Sequence, residues 1–265
     1  MRMKIELNGR TAIVTGGSKG LGFAVARQMA QSGAAVAILA RGAEGLEAAV
    51  AGLREAASQA RVIAVQCDVR SAADISRAHQ EVVARLGPVD ILVNNAGGHA
   101  AGRASELSDA QWEADLEVKL LAQVRFTREV WPAMVARRWG RVINVLNTLA
   151  KAPPEGSAPT SVTRAAQLAL TKVLSQEGAP HNVLVNALLV GLIRADSTER
   201  AWRESGGGRD FETFVQGLLD KWRVPMGRIG EAVEFGRVAT FLASDAASYV
   251  TGSAISVDGG SCPVI

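Results

Sequence analysis

Short apolar runs rich in β-branched residues alternate with longer helical patterns along the chain. The runs fall at Thr11 to Thr15, Ala35 to Leu39, Val62 to Gln66, Ile91 to Asn94, Val142 to Val145, Val183 to Leu189 and Ala254 to Val257. They predict seven strands. The first four begin roughly 25 to 30 residues apart, the length of a βαβ unit, which points to a mainly parallel sheet covered by helices on both faces. The fold class expected is therefore α/β, a single doubly wound Rossmann-type domain over residues 1–265. Helix starts are written between the runs: Ser71 opens Ser-Ala-Ala-Asp, Ser108 is followed three residues later by Gln111, and Pro159 suits a first helical turn. One stretch, about 195–224, breaks the rhythm. There Gly206, Gly207 and Gly208 precede an amphipathic segment through Phe211, Phe214, Val215, Leu218, Leu219 and Trp222. Its lateness in a doubly wound sheet predicts a lid over the carboxyl ends of the strands, where ligands bind; an ordinary surface helical hairpin is the alternative.

Directly after the first strand comes Thr15-Gly16-Gly17-Ser18-Lys19-Gly20-Leu21-Gly22, followed by a helical segment. Glycines in that position let the backbone turn and approach a pyrophosphate, while the helix start offers unpaired N–H groups and a positive dipole end. A dinucleotide is the expected ligand. A site selective for NAD would place an acidic residue at the end of the second strand, whereas Ala40 and Arg41 stand there. Arg41 and Lys19 together suit a 2′-phosphate, so NADP(H) is favoured over NAD(H); a solvated arginine after a strand is the plainer reading of Arg41 alone.

With these motifs in place the sequence resembles the short-chain dehydrogenase/reductase family over nearly its whole length. Further support comes from Cys67-Asp68-Val69 after the third strand, Asn94-Asn95-Ala96-Gly97 after the fourth, and the ending from Tyr249 to Gly260. The resemblance implies that Asp68 and Val69 contact adenine, that Asn95, Ala96 and Gly97 abut the cofactor, and that the last segment helps to form a homotetramer or homodimer. It also implies hydride transfer between a nicotinamide and a carbonyl or alcohol, served by a tyrosine, a lysine four residues later, a serine and an asparagine. At the matching positions this chain has Thr160, Arg164, Asn147 and Lys119. Its one tyrosine, Tyr249, lies near the C-terminus. The Pro-Gly pair after the sixth strand reads Val190-Gly191, and Ala195 takes the place of a threonine beside the nicotinamide.

These replacements alter the chemistry expected. A phenol titrates near 10 and can be drawn toward neutrality by a lysine, while an aliphatic hydroxyl lies far above that range. Arg164 keeps the charge one helical turn from Thr160, yet a guanidinium does not relay protons. Asn147 can polarise a carbonyl, and Lys119 with Arg164 would offer two cations to an anionic small-molecule ligand, unless both are surface residues with ordinary ion pairs. His99, just beyond the Asn-Asn-Ala-Gly turn, is the replacement acid, with an exposed bystander as its alternative. Three functions follow: an NADP(H)-dependent oxidoreductase with a rebuilt site, an NADP(H)-binding protein without turnover that serves as a sensor or silent subunit, or a non-redox enzyme using Lys119 as base.

Composition narrows the partners. The 29 basic and 26 acidic side chains nearly cancel, which argues against nucleic acid or an anionic membrane surface. Cys67 and Cys262, with His79, His99 and His181, form no metal-spaced set. With no apolar stretch of signal-peptide length at the start and no run of eighteen apolar residues, a cytoplasmic location is expected.

Overall fold

A computed structural model describes residues 5–205 and 210–265. Seven strands, β1 (Thr11–Thr15), β2 (Ala35–Ala40), β3 (Val62–Gln66), β4 (Ile91–Asn94), β5 (Gly140–Asn147), β6 (Val183–Val190) and β7 (Ala254–Val257), form one parallel sheet. Their order is β3-β2-β1-β4-β5-β6-β7. The chain therefore reverses its direction of travel across the sheet between β1 and β4, and the crevice at their carboxyl ends is the ligand position of such sheets.

The pairing register explains why the runs are apolar on both sides. Ala12, Val14, Val36 and Ile38 enter the core beneath α1 (Gly20–Gln31), α2 (Ala43–Ala56) and α9 (Ala232–Ala243). Ile13, Ala37 and Leu39 point the other way, toward α3 (Ala72–Leu86) and α5 (Ala122–Arg137). Alternate residues of one strand thus serve two helical layers, which leaves no polar face. Ser71 and Ser108 cap their helices as expected, the latter in a reciprocal capping box with Gln111 at the start of α4 (Asp109–Leu116).

Pro159 departs from the expectation. Ala158–Pro159 pairs antiparallel with Ala101–Gly102, so α6 (Thr160–Gly178) begins one residue later and Pro159 stands just outside it. Between α4 and α5 a π-helical turn spans Glu117–Leu121. The stretch at about 195–224 holds two helices, α7 (Asp196–Glu204) and α8 (Phe211–Trp222). Val215 and Leu219 of α8 form a small apolar cluster with Val224 and Ile229. Gly206, Gly207 and Gly208 lie outside the described residues. Among the described residues no helix is long and apolar enough to cross a membrane, and no group of His, Cys, Asp or Glu is arranged to hold a metal ion.

Candidate active site

The phosphate end is built by the turn from β1 into α1. Gly16 and Gly20 adopt positive φ of 64° and 56°, a region that suits glycine. The Gly16 amide donates to the Leu39 carbonyl at 2.7 Å, which ties the turn to β2. Asn95 fixes it from the other side: its Nδ2 donates to the Thr15 carbonyl at 2.9 Å and the Gly16 carbonyl at 3.2 Å. The Asn95 and Ala96 amides both donate to Thr15 Oγ1 at 2.9 Å. The turn after β4 is thus bonded to the turn after β1 across the switch point.

The first turn of α1 has no side-chain cap and no acidic residue. Its free N–H groups and dipole end are the donor set a pyrophosphate requires, and only the Ala195 methyl, at 3.9 Å, approaches the space a Cβ on Gly20 would fill. A dinucleotide fits this cradle. Lys19 and Arg41 are exposed, and Ser18 lies against Gly45 in the first turn of α2, whose Gly42 cap is likewise without a side-chain bond. The Arg41 carbonyl accepts from Gln66 Nε2 at 2.8 Å, which holds the backbone of the β2–α2 turn. Asp68 is gripped by Arg70, whose guanidinium and amide hold its carboxyl down to about 2. Val69 is buried in the apolar layer beneath α3 and α5, while Leu21 is half-buried against the layer on the opposite face, beneath α1, α2 and α9.

At the chemical end, structure and expectation differ. Lys119 is 2% exposed and offers no ammonium to an open cleft. Its Nζ is bonded to Asp115 Oδ1, one turn earlier, and donates to Thr160 Oγ1 at 2.7 Å. Burial pushes the Lys119 ammonium below its ordinary range; the Asp115 partner opposes this and nearby Arg164 adds to it. Nor are the two cations ordinary surface residues. The Arg164 guanidinium donates to the Val145 carbonyl at 2.8 Å and to Gln167 Oε1 at 2.9 Å, and burial lowers it to about 10. Thr160 is fully buried, and its Oγ1 accepts from the Ala100 amide at 2.9 Å as well as from Lys119. Asn147, half-buried at the end of β5, has a buried Oδ1 with no partner in the described structure.

These groups belong to a larger polar layer that the sequence did not disclose. Gln167 Nε2 donates to the Lys119 carbonyl in the π-helical turn at 3.1 Å and to Gln123 Oε1 at 2.9 Å. Below it, Asn94 Nδ2 donates to Asn144 Oδ1 and Asn144 Nδ2 to Thr171 Oγ1, each at 2.9 Å. Asp115 completes the layer, and its spacing four residues before Lys119 is the one trace of it in the sequence, a helical ion-pair signal.

His99 occupies the loop between these parts and is exposed. Desolvation on its inner side, with the charges of Lys119 and Arg164, lowers its titration below the ordinary value against the opposing pull of Asp115. Gly97, two residues earlier in the loop, lies close over the buried cations, since a Cβ there would stand 3.1 Å from the Arg164 guanidinium and 3.6 Å from Lys119 Cγ. His79 pairs with Glu129 across α3 and α5, away from this cluster.

Residues 10–206 match the short chain dehydrogenase family. The chain is 34% identical over 262 residues to the 3-oxoacyl-(acyl-carrier-protein) reductase FabG of Aquifex aeolicus (strain VF5), covering 97% of this chain and 99% of the relative. Among solved structures it resembles an L-sorbose reductase from Gluconobacter frateurii complexed with NADPH and L-sorbose, with a TM-score of 0.94, 31% identity, and coverage of 99% of this chain and 100% of that one. It also resembles an NADPH-bound short chain oxidoreductase from Pseudomonas aeruginosa PAO1 containing an atypical catalytic center. There the TM-score is 0.90 at 33% identity, covering 96% of this chain and 97% of that one.

Proposed function

The chain belongs to the short-chain dehydrogenase family, and from that premise we propose that it is an NADP(H)-dependent oxidoreductase that reduces a carbonyl compound through a non-standard catalytic centre. The observation that carries the cofactor reading is the uncapped, acid-free start of α1 behind its glycine turn, flanked by Lys19 and Arg41 with no carboxylate at the end of β2. The NADPH complexes of similar structures support the same choice. When bound, the reduced dinucleotide supplies the hydride. The chain's own residues then bind phosphate through the α1 amides and Gly16, Ser18, Lys19, Gly20, Leu21 and Gly22, engage the 2′-phosphate through Arg41, and border the adenine with Asp68 and Val69. Asn95, Ala96 and Gly97 border the nicotinamide side, and Asn147 polarises the substrate oxygen. The helices α7 and α8 form the lid; a homotetramer or homodimer and a cytoplasmic location complete the reading. The ketoacyl and sugar reductases among similar proteins point to an oxygenated carbonyl substrate.

One observation favours a second reading, binding without turnover. The Thr160 hydroxyl, at the position where the family places its phenol, is fully buried and already accepts two hydrogen bonds. Titration with NADPH and NADH, then a turnover screen over aldehydes, ketones and β-ketoesters on the same preparation, separates the two. Preference for NADPH by tenfold or more, lost in Arg41→Ala, is expected, since a charge-assisted hydrogen bond contributes about 1.5–3 kcal/mol. Turnover establishes the oxidoreductase, tight binding without oxidation establishes the silent binder, and absence of binding defeats both.

A further inference from the structure

A carbonyl that has received hydride must be given a proton, and the groups at the family's four positions are poorly suited to give it, the Asn147 amide not being an acid. Thr160 has both lone pairs engaged and an aliphatic hydroxyl's pKa, and Arg164 carries a guanidinium that does not relay. Lys119 is enclosed with Asp115. The exposed group beside them that titrates near neutrality is His99.

Its loop is held at both ends. On one side Asn95 and Ala96 are bonded to Thr15 at the foot of the glycine turn. On the other, Ala100 donates to Thr160, Ala101–Gly102 pairs with Ala158–Pro159, and the Gly102 amide donates to the Gly156 carbonyl at 2.9 Å. Only Gly97, Gly98 and His99 lie between the two anchors, so the loop backbone is tied at one end to the glycine turn and at the other to the start of α6, and His99 feels the charges of Lys119, Asp115 and Arg164. The second anchor ends in the chain Ala100 N–H to Thr160 to Lys119 to Asp115, buried throughout beyond the Ala100 amide.

We propose that His99 is the catalytic acid and that Asp115, Lys119 and Thr160 are positioning residues that hold it in place through the Ala100 amide. This rests on the oxidoreductase reading. In the step, the imidazolium N–H bond breaks and an O–H bond forms on the substrate oxygen, while the electron pair of the broken bond stays on the ring nitrogen; the neutral ring, open to solvent, is reprotonated by water. The reverse reaction uses the neutral ring as base. The charged groups facing His99 are Lys119 from the π-helical turn, Arg164 from α6 and Asp115 from α4. Reduction therefore falls as pH rises through the His99 titration, and alcohol oxidation rises over the same interval.

The test pairs a spectroscopic readout with kinetics. Histidine side chains are titrated by NMR in the protein without cofactor, His99 being assigned by its loss in His99→Asn; its midpoint is expected below 6.5, moving lower still in Asp115→Asn, where the opposing carboxylate charge is gone. NADPH oxidation is followed with ethyl acetoacetate and 4-nitrobenzaldehyde. His99→Asn is expected to lower kcat about 100-fold and abolish the acid-favoured profile, with NADPH affinity within about twofold of wild type. Thr160→Val should lower kcat and move the His99 titration, and Thr160→Ser should restore both; this pair also stands in if Asp115→Asn does not fold. Wild-type turnover that persists in His99→Asn with an unchanged pH profile overturns the inference and leaves the oxidoreductase reading intact. NADPH binding without wild-type turnover overturns that reading and, with it, the role of His99. A His99 resonance indifferent to both Asp115→Asn and Thr160→Val overturns the positioning chain.

Discussion

The two thiols of the chain sit in opposite surroundings, and their reactivity should differ accordingly. Cys67 follows β3 with its amide donated to the Ala40 carbonyl at 2.9 Å. Burial, then the negative charge of Asp74, pushes its thiol up to about 12. Thiolate is the reactive form, so at pH 8 Cys67 should be inert in the folded protein, while the partly exposed Cys262 reacts. Ellman's reagent is expected to titrate one thiol in native protein and the second only in guanidinium; two fast equivalents would contradict the burial of Cys67. The same scale explains what the sequence left hidden at the active site. Lys119 and Arg164 are identifiable as cations from their letters, but whether a cation faces a cleft or a carboxylate depends on what surrounds it. Asp115 lies at a legible spacing, yet such pairs are ordinary on solvated helices, and only burial turns this one into a determinant of the site.

Elements differ in how much of themselves they write into the sequence. The inner strands were legible because each is buried between two helical layers and so reads as an uninterrupted apolar run, while β7 at the edge is only half-buried. Helix α6 was not legible in the same way. Its inward face carries Thr160, Arg164, Gln167, Thr171 and Ser175, all buried, with Lys119 of the π-helical turn bonded to Thr160 and Gln123 of α5 bonded to Gln167. A hydrophobic stripe is the sign by which a helix declares its buried side, and here that side is polar. Glycines sort by the space around them. A methyl on Gly22 of α1 would run into the Gly16 carbonyl and the Asn95 amide, the two groups that fix the glycine turn. Gly22→Ala should therefore cost about 1–3 kcal/mol and weaken NADPH binding. Gly217 lies inside α8 with nothing within 4 Å of a built Cβ, so Gly217→Ala should stabilise by roughly 0.5–1 kcal/mol through helix propensity. Urea midpoints that moved the same way for both would refute the assignment of a packing role to Gly22.

Across the whole molecule, protonation couples to folding through histidines that the fold partly dehydrates. His79 is lowered by burial against the opposing pull of Glu129, and His99 by burial and by Lys119. An unfolded histidine takes up its proton near 6.5, whereas these two do so only at lower pH in the folded chain. Over that interval the unfolded state binds more protons. Their contribution to stability is thus complete above pH 6.5 and is lost as pH falls through the folded values. Carboxylates held down by arginines, Asp68 and Glu234 at about 2, keep their ionised partners to well below this window and contribute little to its slope. Lys119 has the same sign at the alkaline end, since its lowered value makes stability grow as pH rises toward 10.5. The thermal midpoint should accordingly fall between pH 8 and pH 5, and the double variant His79→Gln with His99→Asn should flatten that part of the curve. A wild-type midpoint constant over this range, or an equal slope in the double variant, would show that dehydration of these rings is not what links folding to pH.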